Sequence, residues 1–466
     1  MEYINEKLIE INNFLKKSKI AIIGLGVSNI PLLDYMHNLK ANVTVFDDRE
    51  IESIPKDVLD KVTNYHYNFS FGKASLSKLN GFDIIFRAPS CMPTREELKK
   101  EADRGAIITT EIEMVLKIFP GKVVGITGSD GKTTTTTLIY EILKNNGYNC
   151  YLGGNIGIPL FTKLNEMKPE DIVVLELSSF QLMEMEVSPD ISVITNITPN
   201  HLNIHSSYEE YIEAKKNIFK YQNENGIVVL NYDNDITKAC SKEAEGKVIL
   251  YSSKEKLEDG IILDNDIIKE CKDKLRRHLV NTKDLIIRGK HMHENVCAAL
   301  AATSTLVEPE DAIKTIKNFK GVEHRLEFVR ELNGVKWYND SIGTSPTRTM
   351  AGLNSFDERI TLIAGGYDKN LDYKPLAVPI LEKVDNLVLV GQTATKIFEV
   401  VKEEMEKQKK NINIYVCDEF KEAILTAKRV TKSGDIVLLS PASASFDMFK
   451  NFADKGNKFK ELVNEL

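Results

Sequence analysis

The chain has 466 residues, 42 % hydrophobic and 28 % charged, ordinary globular proportions that exclude disordered, collagen-like and low-complexity classes. Lys and Arg number 61 against 68 Asp and Glu, a net charge of −7, so no basic face for nucleic acid is expected, while local phosphate sites stay open. At the usual ~150 residues per domain, the length predicts about three domains. No apolar run approaches the ~20 residues of a membrane helix. The start, Met1-Glu2-Tyr3-Ile4-Asn5-Glu6, lacks the basic, then apolar, pattern of a signal peptide. Six cysteines (Cys91, Cys150, Cys240, Cys271, Cys297 and Cys417) show no CxxC spacing and read as reduced, mostly packed thiols. A cytoplasmic protein without membrane insertion is expected.

After an opening helical stretch, Lys19-Ile20-Ala21-Ile22-Ile23-Gly24-Leu25-Gly26 is an apolar run ending in glycines, the pattern of a buried parallel strand turning into a helix. Further strands are predicted at 42–48, 82–86 and 106–109, and their alternation with helical stretches argues for a doubly wound sheet. A second unit starts near Glu111, with strands at 123–127, 172–176, 191–196 and 226–230. The stretch from 246 to 288 holds short β-like runs and charged turns, and a small-residue helix with Ala298, Ala299, Ala301 and Ala302 follows. A third unit begins near Gly321, with strands at 335–338, 360–364, 386–390, 412–416 and 435–439. The expected fold class is α/β in three domains, at 1–110, 111–320 and 321–466.

The strongest chemical signal is Val123-Val124-Gly125-Ile126-Thr127-Gly128-Ser129-Asp130-Gly131-Lys132-Thr133-Thr134. A strand runs into a glycine turn, then Lys-Thr-Thr opens a helix. Backbone N–H groups of such a turn bind phosphate oxygens; Lys132 adds a cation and Thr133 a hydroxyl for Mg²⁺. Five residues separate Gly125 from Gly131, so the strict Walker spacing fails, but T-G-x-x-G-K-T-T still fits a phosphate loop. A glycine turn with an incidental lysine is the bland alternative.

Glu176 ends an apolar strand in Leu175-Glu176-Leu177-Ser178-Ser179-Phe180-Gln181, at the carboxyl edge where open α/β sheets hold ligands. An acid there suits a metal; alone it equally suits solvent. Thr198-Pro199-Asn200-His201-Leu202-Asn203-Ile204-His205 follows another strand. His201 is a candidate metal ligand, although two histidines four apart in a loop are more often solvated. Lys215 and Lys216 lie on the amphipathic helix Tyr211 to Phe219, ordinarily a solvated face. Gly24-Leu25-Gly26-Val27-Ser28-Asn29, with Asp47 about 20 residues on, resembles the dinucleotide fingerprint with its ribose-binding acid. Asn29 stands where its third glycine belongs, which weakens a nicotinamide reading and leaves another nucleotide diphosphate open. Glu323-His324-Arg325, Tyr338-Asn339-Asp340-Ser341-Ile342-Gly343-Thr344, Gly365-Gly366-Tyr367-Asp368-Lys369 and Leu439-Ser440-Pro441-Ala442-Ser443-Ala444-Ser445-Phe446-Asp447 crowd the third unit. The last three follow predicted strands, at one sheet edge, and suit a small anionic substrate; Arg325 suits a phosphate.

Taken in order, T-G-S-D-G-K-T-T, G-G-N-I-G, E-L-S-S-F-Q-L, H-L-N…A-K, H-R, N-D-S, G-G-Y-D-K and L-S-P-A-S-A-S-F-D resemble the Mur ligases over essentially the whole chain. The resemblance implies a Rossmann-like N-terminal domain for a UDP-sugar, a central P-loop ATPase-type parallel sheet for ATP and Mg²⁺, and a Rossmann-like C-terminal domain for an amino acid. It lies closest to the members that add D-glutamate to UDP-N-acetylmuramoyl-L-alanine, in peptidoglycan precursor synthesis, through an acyl phosphate. A sister ligase, a folylpolyglutamate synthase-type ligase and, from other classes, a nicotinamide oxidoreductase and a non-catalytic nucleotide-binding regulator with a ligase fold are the alternatives.

By the same resemblance, Thr133 and Glu176 match ligands of one Mg²⁺, His201 a ligand of a second, and Lys215 the lysine carbamylated in the family. Gly128, Ser129, Asp130, Gly131, Lys132, Thr133, Thr134, Asn295, Arg325 and Asp340 match the ATP site. Lys132, Glu176, His201 and Lys215 are the implied catalytic set. Val27, Ser28, Asp47, Asp48, Arg49 and Asn155 match the UDP-sugar site; Thr344, Lys369, Ser445, Phe446 and Phe452 the D-glutamate pocket. A monomer using only small-molecule substrates is expected. The sequence departs from the family pattern at Ser90, Asp130, Asn200, Asn203, Met292 and Ile342.

Overall fold

The computed structural model describes residues 3–201, 204–273 and 275–466, and the chain divides into two compact units, Met1–Val280 with Glu294–Thr315, and Asn281–His293 with Ile316–Leu466. Outside 247–281 and 327–339, the strands are short runs separated by helices, as the sequence pattern predicts.

The first unit holds two sheets. The first joins β1 (Lys19–Ile23), β2 (Asn42–Asp47), β3 (Asn68–Phe71), β4 (Ile84–Arg87) and β5 (Ile107–Thr109) in the order β3-β2-β1-β4-β5, all parallel. Ile20, Ala21 and Ile22 of the central β1 are fully buried, as a strand covered by helices on both faces requires. The strand order reverses between β1 and β4, which opens a crevice at their carboxyl ends.

The second sheet has nine strands: β6 (Lys122–Thr127), β7 (Cys150–Gly154), β8 (Ile172–Glu176), β9 (Ile191–Ile194), β10 (Ile227–Asn231), β11 (Lys247–Ser252), β12 (Gly260–Asp264), β13 (Ile267–Lys272) and β14 (Leu275–Asn281). Their order is β14-β13-β12-β11-β10-β9-β6-β8-β7. Pairing is parallel from β7 to β12 and antiparallel between β12 and β13. The poorly patterned stretch 246–288 thus supplies four strands. The carboxyl ends of β6, β8 and β9 lie side by side, with Ile126 opposite Glu176 and Thr127 opposite Ile194.

The second unit holds β15 (Glu327–Leu332), β16 (Val335–Asn339), β17 (Ile360–Ala364), β18 (Val384–Val390), β19 (Asn413–Cys417) and β20 (Ile436–Leu439), in the order β15-β16-β20-β17-β18-β19. All pairs are parallel except β15 with β16. Outside 246–288, three strands escape the sequence reading: β3, β7 and β15. All three close a sheet edge, where one side is open to solvent and the apolar run is short or broken by polar residues. Among the described residues no helix is long and apolar enough to cross a membrane.

Candidate active site

β6 delivers Thr127 to the glycine turn, and two glycines there have no substitute. Gly128 has φ +151°, and a Cβ on it would stand 1.8 Å from Thr195 Oγ1. Gly131 has φ +80°, and a Cβ would stand 2.4 Å from Asn295 Oδ1. Gly131 caps the helix Lys132–Asn145 in the left-handed conformation, which turns the helix N-terminus and its N–H groups toward the loop. The strand end β9 holds the loop down: Ser129 N–H donates to Asn196 O at 2.8 Å and Asp130 N–H to Asn196 Oδ1 at 2.9 Å. Ser129 Oγ donates to Thr198 O at 2.9 Å and lies 2.9 Å from the Tyr211 hydroxyl. Asn295 Oδ1 accepts from Thr135 Oγ1 at 3.3 Å, so Asn295 sits against the loop. Lys132 folds back across it, Nζ donating to the carbonyls of Gly128 and Ser129 at 2.9 Å each. Thr133 stands half-buried in the first turn and Thr134 is buried behind it.

Glu176, the last residue of β8, is 1 % exposed. One carboxylate oxygen accepts from Asn155 Nδ2 at 2.8 Å, and the other, buried, has no hydrogen-bond partner. The backbones touch as well: Asn155 N–H donates to Glu176 O at 2.8 Å. Asn155 therefore belongs with the acid.

Lys215 is 1 % exposed. Its Nζ donates to Gly128 O at 2.8 Å and to Thr127 Oγ1 at 3.3 Å, 4.7 Å from the Tyr211 ring centroid. Burial, reinforced by the Lys132 charge, pulls its pKa well below that of an ordinary lysine. Lys216 is half-buried and pairs with Glu213 and Glu243 at 3.0 and 2.9 Å. The solvated-face reading fails for Lys215, because the helix Tyr208–Lys220 turns that position under the phosphate loop, while Lys216 is held by surface carboxylates.

His201 is exposed, with φ +55°, its ring edge-on to Phe180 at 5.3 Å. Burial, then Lys132, Lys215 and His205, lower its pKa and favour the neutral, metal-binding imidazole. Leu202 and Asn203 lie outside the described residues. His205 spends both ring nitrogens on protein, Nε2 2.9 Å from Ser179 Oγ and Nδ1 3.3 Å from Glu210 Oε2, and stacks on Phe180 at 5.1 Å.

Among the described residues no three His, Cys, Asp or Glu side chains form a ready metal cluster. The donors are mixed, a Thr hydroxyl, a carboxylate and an imidazole. The free, buried oxygen of Glu176 fits a hard cation, which would satisfy it.

At the carboxyl end of the first sheet, Gly24 has φ +84°, and a Cβ there would stand 2.8 Å from Ala88 Cβ. Asp47 does not wait free for a ribose. It accepts from Leu25 N–H at 2.7 Å, from Arg49 N–H at 3.0 Å, and from Arg49 Nε and Nη2 at 2.8 Å each. Burial pushes its pKa up, but the bonds from Arg49 and Leu25 outweigh it and hold the carboxylate below its usual range. Arg49 Nη2 also donates to Leu25 O at 3.0 Å, so Asp47 and Arg49 brace the turn. Asn29 donates to the carbonyls of Ile23 and Gly24 at 3.0 Å each, which explains an asparagine in the third glycine's place. Asp48 accepts from Ser75 Oγ at 3.0 Å and pairs with Arg95 at 3.3 Å. Val27 is 76 % exposed on the rim, beside half-buried Ser28.

In the second unit the loops after β16, β17 and β20 meet. Asp340 is buried; Oδ2 accepts from Ser440 Oγ at 2.7 Å and Oδ1 from Leu326 N–H at 3.3 Å. Burial pushes its pKa up to about 7, against those bonds and the Arg325 charge. Ala442 N–H donates to Gly343 O at 2.7 Å, beside Thr344. Tyr367 N–H donates to Ala444 O at 2.8 Å, which joins the G-G-Y-D-K loop to the Ser-Ala-rich loop. Lys369 Nζ lies 5.4 Å from the Phe446 ring centroid, Phe446 is exposed, and the Ser445 hydroxyl is buried without a partner. Phe452 packs edge-on to His324 at 5.9 Å.

Sequence reasoning missed Thr195, Asn196 and Tyr211, which hold the phosphate loop. It also missed Lys455, buried with Nζ 3.1 Å from Gly365 O and a pKa lowered by burial to about 8. Tyr211 carried one usable signal: it stands four residues before Lys215, on the same helical face.

The fold and this loop place the chain among α/β proteins with a phosphate-binding loop. Residues 126–303 match the Mur ligase middle domain and 324–443 the Mur ligase, glutamate ligase domain; the chain belongs to the Mur ligase family. Two relatives are both named UDP-N-acetylmuramoylalanine--D-glutamate ligase. That of Acetivibrio thermocellus is 47 % identical over 465 residues, spanning 99 % of this chain and 100 % of its own. That of Clostridium novyi is 48 % identical over 457 residues, spanning 98 % and 99 %. Among solved structures, the UDP-N-acetylmuramate-alanine ligase of Thermotoga maritima aligns with a TM-score of 0.57 at 18 % identity, over 96 % of this chain and 99 % of that one. A UDP-N-acetylmuramoyl-L-alanyl-D-glutamate--2,6-diaminopimelate ligase aligns at 0.58 and 16 %, over 96 % and 91 %. These two likenesses concern the fold.

Proposed function

We infer that the chain is an ATP-dependent amide ligase joining D-glutamate to UDP-N-acetylmuramoyl-L-alanine. The observation that carries this reading is the identity of nearly one residue in two, end to end, with ligases of that name. The γ-phosphoryl group of ATP passes to the substrate carboxylate, giving an acyl phosphate and ADP. The amine of D-glutamate then attacks, and the tetrahedral intermediate loses phosphate to leave an amide.

The geometry supports roles for this chain's own groups. The N–H groups from Gly128 to Thr134 cradle the phosphates, with Asn295 against the loop. Lys132, held on two loop carbonyls, swings to the β- and γ-phosphates and meets the charge that develops in transfer. Thr133, the free oxygen of Glu176 and His201 would hold Mg²⁺, two ions in this reading, which neutralises the phosphates and the acceptor carboxylate. Lys215, kept partly neutral by burial, reacts as the free amine with CO₂ and releases a proton. The carbamate formed is an anion that orients the metal ligands. Arg325 and Asp340 serve as ATP-contacting residues in this reading. Thr344, Lys369, Ser445, Phe446 and Phe452 take D-glutamate, Lys369 meeting a carboxylate and the Ser445 hydroxyl finding the partner it lacks. Val27, Ser28, Asp48 and Asn155 serve the UDP-sugar, and Asp47 and Arg49 brace the turn that receives it.

The reading keeps three domains, 1–110, 111–320 and 321–466, each range holding one sheet, in a monomer working in the cytoplasm. It is tested by ADP release. Release requiring both UDP-N-acetylmuramoyl-L-alanine and D-glutamate supports it; release that ignores either overturns it.

A further inference from the structure

Arg87 ends β4 and is 4 % exposed, yet among the described residues it makes no ion pair. A guanidinium so buried normally faces a carboxylate. This one is spent on backbone carbonyls. Nη1 donates to Cys91 O at 3.2 Å, Nη2 to Met183 O at 3.1 Å, and both reach Phe180 O at 3.5 and 3.4 Å. Phe180 and Met183 lie in and just after the short helix Ser179–Leu182, which follows Glu176, and cations suit the carbonyl end of a helical turn.

Each end of this clamp leads to a ligand site proposed above. On one side, Ala88 follows Arg87 and its N–H donates to Ile23 O at 2.8 Å, while its Cβ fills the space a Cβ on Gly24 would need. The Cys91 carbonyl closes the loop after β4 onto the same guanidinium. On the other side, the Phe180 ring stacks on His205 at 5.1 Å and meets His201 edge-on at 5.3 Å. One planar, multidentate cation thus fastens the nucleotide-sugar turn of the first sheet to the loop that seats His201 beside the second.

We propose that Arg87 is a positioning residue of the ligase, holding the acceptor-binding turn in register with the metal-binding loop so that the acceptor carboxylate meets the phosphate and Mg²⁺. The proposal rests on the ligase reading. Misplacement by about 1 Å at a reacting centre costs on the order of 100-fold in rate, so a clamp with no substrate contact still matters. Lysine is a poor replacement, because one ammonium cannot span three carbonyls in a plane.

The test is steady-state kinetics on the whole enzyme, with melting temperature measured alongside. The wild type must first show ligation; without it the ligase reading itself fails. Arg87→Met is then expected to raise the KM for UDP-N-acetylmuramoyl-L-alanine and the half-saturating Mg²⁺ together, each about tenfold, and to lower kcat. The KM for D-glutamate stays within about twofold, and Arg87→Lys recovers part of the loss. Phe180→Leu alone raises the Mg²⁺ requirement, and its effect combined with Arg87→Met is less than additive, as two parts of one linkage require. If Arg87→Met does not fold, the same pattern is read in Arg87→Lys. Unchanged constants, equal changes for all three ligands, a fall in melting temperature alone, or strict additivity with Phe180→Leu would each overturn the proposal.

Discussion

Lys132 and Lys215 both donate to the carbonyl of Gly128, so two ammonium groups share one acceptor at the mouth of the phosphate loop. Burial first, and that crowding second, lower the Lys215 pKa. Lys132→Ala should lower ADP release at least 100-fold, the scale for removing one group that meets transition-state charge; activity within tenfold of wild type would remove Lys132 from the site. Lys215→Ala should be inactive and partly restored by a small carboxylic acid, because the missing group is an anion; full activity without rescue would rule out the carbamate. Glu176 was legible as an acid ending an apolar strand. Lys215 was not, since spacing alone cannot choose it over Lys216. Asp47 was legible in position but not in use, because its two oxygens are claimed by Arg49 and Leu25, bonds no spacing rule shows.

At the scale of elements, the site is a row of strand ends. β7 approaches β8 so closely that a Cβ on Gly154, at φ +93°, would stand 2.2 Å from Glu176 O. Gly154→Ala should therefore part the two strands, cost about 2 kcal/mol or more, and loosen Asn155 from Glu176. Differential scanning calorimetry should show a lower melting temperature, and kinetics a higher Mg²⁺ requirement; a wild-type value for both would mean the strands tolerate separation. The buried central strands were readable as unbroken apolar runs. β3, β7 and β15 were not, because an edge strand needs only one buried side and β15 is interrupted by Arg330 and Glu331. The four strands of 246–288 were hidden differently: β11, β12 and β13 lie inside the sheet but follow one another without helices, and the edge strand β14 opens with Leu275-Arg276-Arg277-His278, all exposed.

For the whole molecule, stability against pH carries a signature of buried acids. Burial pushes Asp340 up to about 7 in the second unit, and Glu111 up to about 7 in the first, despite the N–H groups of Phe161 and Leu160 on its carboxylate. Folded pKa values above the unfolded ones mean the folded state holds protons the unfolded state has lost. Stability from these groups is therefore full below about pH 4 and falls as pH rises to about 7, by up to about 4 kcal/mol for Asp340. Asp340→Asn lacks this slope, so its stability relative to wild type should rise between pH 4.5 and 7.5 in urea titrations; parallel curves would show that Asp340 is ionised throughout. The net charge of −7 frames the same economy of charge. Anionic substrates are met by a few placed cations, Lys132, Arg325 and Lys369 in this reading, and not by a basic surface. Length predicted three units, and three sheets are found, but the division into two compact bodies depends on long-range packing that no local pattern encodes.

The central claim is the identity of the amino acid joined. The most direct measurement supplies the purified enzyme with ATP, Mg²⁺ and UDP-N-acetylmuramoyl-L-alanine and follows ADP release and product mass across a panel of amino acids. D-glutamate should give the dominant rate and the amide product, with L-alanine, L-lysine and diaminopimelate near background. Any of those three outperforming D-glutamate would contradict the assignment.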